Sequence, residues 1–266
     1  MFALGGNNFP TSQDEFLQSL NEGLMVFGPV PGIREWSGGT FPEIPRLEVD
    51  LTGGLVGAHT RPGTRTGTIQ RGVRVQALTI WATPLRLPES EIDFHLEAWN
   101  VALDYDRNAA EKRPILVMTF AESGQITSSM SISHFESLVL ALARKAASKQ
   151  DVSIEDLAIT LSSRGSRDIA FLAEITARKA IFSVKIQTSG RIHLDNRLTA
   201  HISDLDCSGE GMVNAGAAEL LKPHLLKMNG KSFPLSALPL DNLHVHDVAI
   251  SALNEPIRIE AKFSQF

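Results

Sequence analysis

Two groups of residues have types and spacings that suit metal chemistry. The segment from Asp204 to Gly209 has the form D-x-D-x-S-G, which matches the first half of a calcium-binding loop. Such a loop uses a bidentate glutamate at its twelfth position, where this chain has Ala215. The oxygen cage around a calcium ion is therefore incomplete, and the pattern favours a structural interpretation over a calcium site.

In the structural interpretation, Ser208 caps the helix that follows it, and Glu210 complements the positive end of the helix dipole. Cys207 lies close to the same helix N-terminus, a position that lowers the pKa of a thiol. A lone cysteine between a strand and a helix is usually a small buried apolar residue, so we expect Cys207 to pack in the core. A single cysteine also excludes an internal disulfide.

The second group is a histidine pair. His244 and His246 are two residues apart, so on a strand their side chains share one face, and His201 or His193 would supply a third zinc ligand. Histidines that face solvent on a one-sided strand have the same spacing, and Asp247 breaks the pattern. We therefore expect no metal and no cofactor, and a metal-dependent hydrolase built on this pair is the least favoured function.

Composition and motifs restrict the function class further. The 266 residues carry a formal charge of −5, with 43% hydrophobic and 21% charged residues, which is typical of a folded protein that does not bind nucleic acid. No nucleophile, phosphate-binding or dinucleotide motif is present, so we expect no enzymatic activity. The first residues do not form a signal peptide, which predicts a cytoplasmic or membrane-peripheral protein, or one of the cell envelope if a leader was removed.

The elements that position these residues are mainly long strands. Ile92, Phe94 and Leu96 alternate with polar residues, as in a strand with one wet face, and residues 114–120 are apolar throughout. The polar segment 59–68 predicts the tip of a long hairpin. A second hairpin is predicted around Thr188, Ser189 and Gly190.

Two helices are predicted from capping boxes. Ser12 with Glu15 begins a short amphipathic helix, and Ser133 with Glu136 begins a longer one that reaches about Ser148. Both helices have one apolar face, so each must pack that face against other parts of the protein.

A third helix follows the acidic turn. Met212, Gly216 and Leu220 share one face, small residues keep the helix thin, and Pro223 ends or kinks it. The lysines near its end form either a solvated terminus or a rim that meets anionic lipid headgroups; they are Lys222, Lys227 and Lys231. Together the elements predict an α+β fold, a long and highly curved antiparallel sheet around one or two amphipathic helices. Residues 1–43 are predicted to form an N-terminal helix and loop, and residues 44–266 a single domain.

The second half of the chain resembles the bacterial LmeA-type phospholipid-binding family, of the tubular lipid-binding (BPI-like) class. The resemblance rests on the helix at 133–148, on the strands between residues 151 and 205, and on the ending LPL-x-x-L-x-V-x-D-V-x-I, here 238–250, before IRIEAKF. It implies a curved sheet wrapped along a long helix and an apolar cavity that holds acyl chains. It implies no catalytic residues.

The leading hypothesis is therefore non-enzymatic binding or transport of a lipid or another apolar ligand, and it includes peripheral contact with a membrane surface. The alternative is a structural or adaptor domain with a filled core, which a cavity smaller than about 300 Å³ would favour. The apolar side chains expected to line the ligand site are Phe94, Leu96, Phe135, Leu138, Val139, Leu142, Phe182, Val184, Met212 and Leu220.

Overall fold

The fold is mixed, with three α-helices and fourteen strands in the described part of the chain. The computed structural model describes residues 1–37, 39–57, 60, 63–148, 153–179, 182–234, 243–252 and 256–265. The predicted α+β class is confirmed, because the helices are few and the strands pair mostly in antiparallel. None of the helices described has both the length and the apolar character needed to cross a membrane.

Six strands lie between the first two helices, and four more lie between the second helix and the third. In chain order they are β1 (Phe2–Ala3), α1 (Gln13–Leu24), β2 (Gly32–Ser37), β3 (Glu43–Asp50), β4 (Gln70–Leu87), β5 (Ser90–Arg107), β6 (Pro114–Phe120), β7 (Ser123–Met130), α2 (Ile132–Ala147), β8 (Ser153–Gly165), β9 (Asp168–Lys179), β10 (Phe182–Leu194), β11 (Thr199–Ser208), α3 (Met212–Leu226), β12 (Ser232–Pro234), β13 (His244–Ser251) and β14 (Ile257–Ser264).

The chain divides into two compact units. Unit 1 comprises Met1–Ser128, Pro239–Asp247 and Glu260–Phe266, and unit 2 comprises Ser129–Leu238 and Val248–Ile259. This division differs from the expected boundary at residue 43, because the apolar face of α1 packs into the same core as β3, β4 and β5. The N-terminal helix is therefore an integral part of unit 1.

Helix α1 begins as the sequence predicts. Ser12 is its N-cap, and the Ser12 hydroxyl accepts a hydrogen bond from the Glu15 N–H. The Glu15 carboxylate in turn accepts hydrogen bonds from the backbone N–H and the hydroxyl of Thr11, which lower its pKa. Its apolar face buries Phe16, Leu20 and Leu24 in the core of unit 1.

The nine-stranded sheet has the order β13-β14-β7-β5-β4-β3-β2, and β6 pairs with β5 and β1. Strands β3 and β4 are parallel, with Ile44 opposite Val75 and Val49 opposite Ile80. The hairpin predicted at residues 59–68 is therefore wrong. Parallel neighbours need a crossover connection of a dozen or more residues, and the chain between β3 and β4 supplies it.

Unit 2 contains an antiparallel sheet of five strands in the order β12-β11-β10-β9-β8. The hairpin predicted at Thr188, Ser189 and Gly190 is wrong, because β10 continues through these residues as one strand. Its pairing with β11 shifts register between Ser189 and Arg191, as at a bulge. A Cβ atom on Gly190 would lie 2.6 Å from Leu205 Cδ2, so the glycine serves close packing and not a turn.

Helix α2 begins two residues before the position that the capping box predicts. Its N-cap is Ser131, whose hydroxyl accepts a hydrogen bond from the His134 N–H. Ser133 lies inside the helix, and the Glu136 carboxylate bonds to a neighbouring strand in place of the helix terminus. The predicted helix is confirmed, and its predicted cap is wrong.

Helix α3 contains Pro223 in its last turn and packs on β10 and β11. The packed face carries Ala217 and Ala218, which contact the small cluster of Ile186 and Cys207. The face with Met212 is not the packed one, because Met212 is 93% exposed and Gly216 is exposed as well. Ser208 is the last residue of β11 and does not cap the helix.

Candidate functional site

Unit 1 encloses an apolar cavity of about 210 Å³, which we call the chamber. It lies between β1 and α1 on one side and strands β3 to β6 on the other. The described residues that line it all have apolar side chains: Met1, Phe2, Leu20, Leu24, Leu47, Val49, Leu51, Leu78, Ile80, Leu85, Phe94, Leu96, Leu103, Leu116 and Met118. A wall without any polar side chain offers dispersion contacts and no directional bond.

The period of the strands explains how the wall forms. Leu47 and Val49 are two residues apart on β3, so both point to the covered face of the sheet. The parallel pairing sets Leu47 opposite Leu78 and Val49 opposite Ile80, and antiparallel pairing sets Ile80 opposite Leu96. Three neighbouring strands therefore present one continuous apolar surface below α1.

A close approach of two backbone segments closes the chamber on the side of α1. A Cβ atom on Gly23 would lie 1.9 Å from the carbonyl oxygen of Ala3, so only glycine allows this contact. Ser19 Oγ donates a hydrogen bond to the Gly5 carbonyl over 2.6 Å, and the Leu4 N–H donates one to Pro114 over 2.8 Å. The segment around β1 is thus held between the helix and β6.

The chamber borders a second, wider cavity at β1. This cavity of about 480 Å³, which we call the vestibule, shares Met1 and Phe2 with the chamber. Its other lining residues are Ala3, Leu4, Gly5, Glu22, Gly23, Met25, Val26, Phe27, Thr60, Gly63, Asn108, Glu111 and Arg113. Met1 is 64% exposed, so the vestibule side of the chamber faces solvent.

Phe2 stands at the boundary between the two cavities. Its ring packs edge-on against Phe27, with ring centroids 6.1 Å apart and an interplanar angle of 66°. Its backbone pairs with β6, where Phe2 lies opposite Leu116. These contacts hold the ring at the wall that the chamber and the vestibule share.

The buried carboxylate of Asp106 holds the crossover between β3 and β4 in place. Asp106 is 0% exposed and accepts hydrogen bonds from Thr66 Oγ1 and from the Gly67 and Arg107 N–H groups. Burial alone would raise the pKa of Asp106, but these hydrogen bonds, with one from the Thr68 N–H, hold it below its usual value. All of these contacts are structural ones within unit 1.

A second carboxylate on β5 has a similar role. Burial raises the pKa of Asp104, but hydrogen bonds from Thr119 and Arg74 and from the Gly72 N–H outweigh burial and hold it below the usual value. The Arg74 guanidinium lies 2.8 Å from Asp104 Oδ1. Because its partners satisfy both carboxylate oxygens, this group ties β4, β5 and β6 together.

The structure places the predicted lining residues in different parts of the molecule. Phe94 and Leu96 lie in the wall of the chamber. The four residues of α2 belong to unit 2 and do not line the chamber; they are Phe135, Leu138, Val139 and Leu142, of which Leu142 is 61% exposed.

Of the remaining predicted residues, Val184 packs against the small cluster of unit 2. Met212 is almost fully exposed to solvent. The side chains of Phe182 and Leu220 lie outside the described set.

Most of the chamber was missed from the sequence. Leu20 and Leu24 on α1, and Leu47 and Val49 on β3, carry a signal that was available, since both segments have a regular apolar face. The parallel pairing that brings β3 and β4 side by side has no such signal in the pattern of apolar residues.

The residues considered for metal or thiol chemistry are explained by packing and solvation. Cys207 is buried as expected, and burial raises the pKa of its thiol. His244 and His246 are both exposed on β13. Among the residues that the structure describes, no three histidine, cysteine, aspartate or glutamate side chains are grouped closely enough to hold a metal ion.

The lysines near the end of α3 differ in their surroundings. Lys222 Nζ lies 3.8 Å from Asp206 Oδ1 and 3.7 Å from Glu219 Oε1. Lys227 and Lys231 are exposed. Lys222 is thus partly neutralised by neighbouring carboxylates, and the exposed positive charge of this terminus comes mainly from Lys227 and Lys231.

Comparison with known proteins supplies no relative: no family model, no curated protein and no solved structure matches this chain.

Proposed function

We propose that the protein is a non-enzymatic binding protein that takes a small apolar ligand in the chamber of unit 1. The chamber itself carries this proposal. Close-packed protein cores leave few voids larger than a water molecule, whereas this cavity measures about 210 Å³ and the described side chains in its wall are all apolar. A bound apolar ligand would fill this space and gain the dispersion contacts that an empty cavity lacks.

The volume of the chamber limits the size of the ligand. A cavity of about 150 Å³ with apolar walls binds benzene, which has six carbon atoms. Scaled to about 210 Å³, the chamber takes roughly eight carbon atoms. This favours one short acyl or alkyl chain over a whole phospholipid with two long chains.

The proposal of a lipid ligand draws on the family resemblance and on the chamber, which support it to different degrees. The resemblance to the LmeA-type family concerns the second half of the chain, whereas the residues of the chamber all lie before residue 120. The proposal therefore rests on the chamber, and the family assignment remains a prediction. A lipid or fatty-acyl partner and peripheral contact with a membrane through Lys227 and Lys231 belong to the same proposal.

Binding to the chamber can be tested with n-octane and benzene as probes. Met118 lines the chamber, so we expect either probe to shift the NMR signal of the Met118 methyl group. Native mass spectrometry of the purified protein, followed by organic extraction, identifies any molecule that is already bound. A Met118 signal that does not respond to saturating amounts of both probes would contradict the proposal.

A pair of variants on β5 makes this test specific. Leu96 lines the chamber, whereas Ile92 lies on the same strand, is half-buried and does not line it. We expect Leu96→Trp to fill the chamber and abolish binding, and Ile92→Trp to retain it. Equal binding by the two variants would place the ligand elsewhere.

The second candidate is a structural or adaptor domain with a filled core. It is favoured by one observation, which is that the chamber is smaller than the range of about 300–1,000 Å³ that is common for ligand pockets. Under this function neither probe binds, and Leu96→Trp changes stability without changing any binding.

A further inference from the structure

The chamber and the vestibule differ in chemistry although they share two lining residues. In the described part of the chain, the side chains that line the chamber are all apolar, whereas those of the vestibule include the charged Glu22, Glu111 and Arg113. The combination of an apolar end and a polar end is the arrangement that an amphiphilic molecule requires, with its chain buried and its head in a wet site.

The volumes agree with this arrangement. The chamber alone, at about 210 Å³, is below the usual size of a ligand site, whereas the vestibule adds about 480 Å³. Phe2 is half-buried at the boundary, held by the short strand β1 and by its contact with Phe27.

The charges of the vestibule select among possible headgroups. Glu22 and Glu111 are carboxylates and accept hydrogen bonds only, and the Arg113 guanidinium is already 3.6 Å from Glu111. Among the lining side chains that the structure describes, a carboxylate head would add a third negative charge near one paired positive charge, which is unfavourable. A hydroxyl head donates a hydrogen bond to Glu22 or Glu111 and brings no charge.

We propose that the ligand is a single-chain amphiphile with a neutral, hydroxylated head, whose chain of about eight carbons fills the chamber while its head lies in the vestibule. This inference rests on the proposed function of the chamber and adds the class of ligand. Phe2 lies beside the bound chain at the point where it leaves the chamber. Fatty acids of the same length bind more weakly, because their ionised heads meet Glu22 and Glu111.

The test uses n-octane, 1-octanol and octanoate at pH 7.5 with the complete chain, followed by NMR of the methionine methyl groups. Met118 lines the chamber and Met25 lines the vestibule, whereas Met212 is exposed in unit 2 and serves as the control. We expect n-octane to shift Met118, 1-octanol to shift both Met118 and Met25, and neither probe to shift Met212.

Charge variants separate the effect of the vestibule from the general cost of burying an anion. We expect Glu22→Gln combined with Glu111→Gln to tighten octanoate binding at least about fivefold, since each unit charge at about 4 Å contributes roughly 1 kcal/mol even in water. Glu89→Gln removes a negative charge from an exposed residue that does not line the vestibule, and it should leave octanoate affinity unchanged.

The outcomes distinguish the two proposals. If no probe shifts Met118, the proposed function itself fails. If n-octane and 1-octanol shift Met118 but neither shifts Met25, and the double variant binds octanoate no better than Glu89→Gln does, the chamber binds apolar ligands but the amphiphile proposal is wrong.

Discussion

Glu136 of α2 accepts a hydrogen bond from the Ile159 N–H of β8, and the donor and acceptor atoms are 2.6 Å apart. Strand β8 is an edge of the five-stranded sheet, so its outer backbone groups have no partner strand in that sheet. Arg144, eight residues further along α2, donates hydrogen bonds to the Ile154 and Glu155 carbonyl oxygens of the same strand. The polar face of α2 therefore covers a sheet edge that would otherwise be open to pairing with another strand.

This contact leads to a prediction about Glu136. We expect Glu136→Ala to destabilise unit 2 by about 1 kcal/mol, because the Ile159 N–H loses its acceptor. Hydrogen exchange measures the effect directly, and the Ile159 amide should exchange faster. Glu136→Gln keeps a carbonyl oxygen at the same position and is the matched control. Unchanged protection of the Ile159 amide in the alanine variant would show that the helix does not seal the edge.

The second prediction compares two helical glycines, of which Gly23 lies at the contact between α1 and β1 and Gly216 lies in α3 of unit 2. Replacing a glycine inside a helix by alanine usually stabilises a protein by about 1 kcal/mol. Gly216 of α3 has nothing within 4 Å of an added Cβ, so Gly216→Ala should follow this rule. At Gly23 of α1 the added Cβ would meet the Ala3 carbonyl oxygen, so Gly23→Ala should lower stability and displace β1.

Urea unfolding of the two glycine variants checks this contrast, and probe binding to the chamber checks the displacement of β1. We expect the midpoint of unfolding to rise for Gly216→Ala and to fall for Gly23→Ala. A gain of stability in both variants would mean that α1 and β1 are not in backbone contact.

The strands were predictable because alternation of apolar and polar residues marks a half-buried strand directly. The same pattern does not contain the direction of pairing, and the parallel pair β3 and β4 was therefore mistaken for a hairpin. Gly190 shows a related difficulty, since a glycine serves a turn and a close contact equally well in a sequence. The contact with Phe171 and Leu205 depends on residues that are distant in the chain.

The candidate site was predictable only in part, for a similar reason. An apolar face shows which residues avoid water, but it does not show which element covers them. Phe94 and Leu96 line the chamber because Leu20 and Leu24 of α1 lie across it from their strand. The apolar face of α2 belongs to unit 2 and does not contribute to the chamber. The turn at Ser208 and the pair of His244 and His246 suggested metal chemistry only through local spacing.

A third prediction concerns the pH dependence that Asp106 contributes. Its pKa is lower in the folded protein than in the unfolded chain, where an aspartate has a pKa of about 3.9. The ionised folded state is therefore favoured above that value, and this stabilisation is lost as the pH falls through the folded pKa. We expect Asp106→Asn to lower the free energy of unfolding at pH 7 by about 3 kcal/mol, because the donors of Thr66, Gly67 and Arg107 lose a charged acceptor.

Urea unfolding at pH 7 and at pH 3 tests the role of Asp106. The difference in stability between the two pH values should be smaller in Asp106→Asn than in the unmodified protein. Asp93→Asn, at an exposed position of the same strand, is the control and should behave as the unmodified protein does. An identical pH dependence in all three proteins would contradict the assignment.

The last prediction concerns a row of polar side chains at the edge of the sheet of unit 2. His201 Nε2 lies 3.0 Å from Asp195 Oδ2, and His201 Nδ1 lies 2.8 Å from Ser232 Oγ. The hydrogen bond from His201 lowers the pKa of Asp195 to about 2, and the backbone N–H groups of Thr199 and Arg197 contribute as well. Because His201 is the largest cause, its removal should raise this pKa towards the ordinary value while the backbone contribution remains.

Carbon-detected NMR of the Asp195 carboxyl group over pH 1.5 to 6, which brackets the ordinary aspartate pKa of about 3.9, measures this change. We expect the pKa of Asp195 to rise in His201→Ala and to change less in Ser232→Ala, since Ser232 reaches the carboxylate only through the imidazole. If Ser232 only packs against its neighbours, Ser232→Ala should leave the pKa of Asp195 unchanged. If the pKa of Asp195 stays near 2 in His201→Ala, the backbone N–H groups of the Asp195 turn alone set it, and the histidine is a bystander.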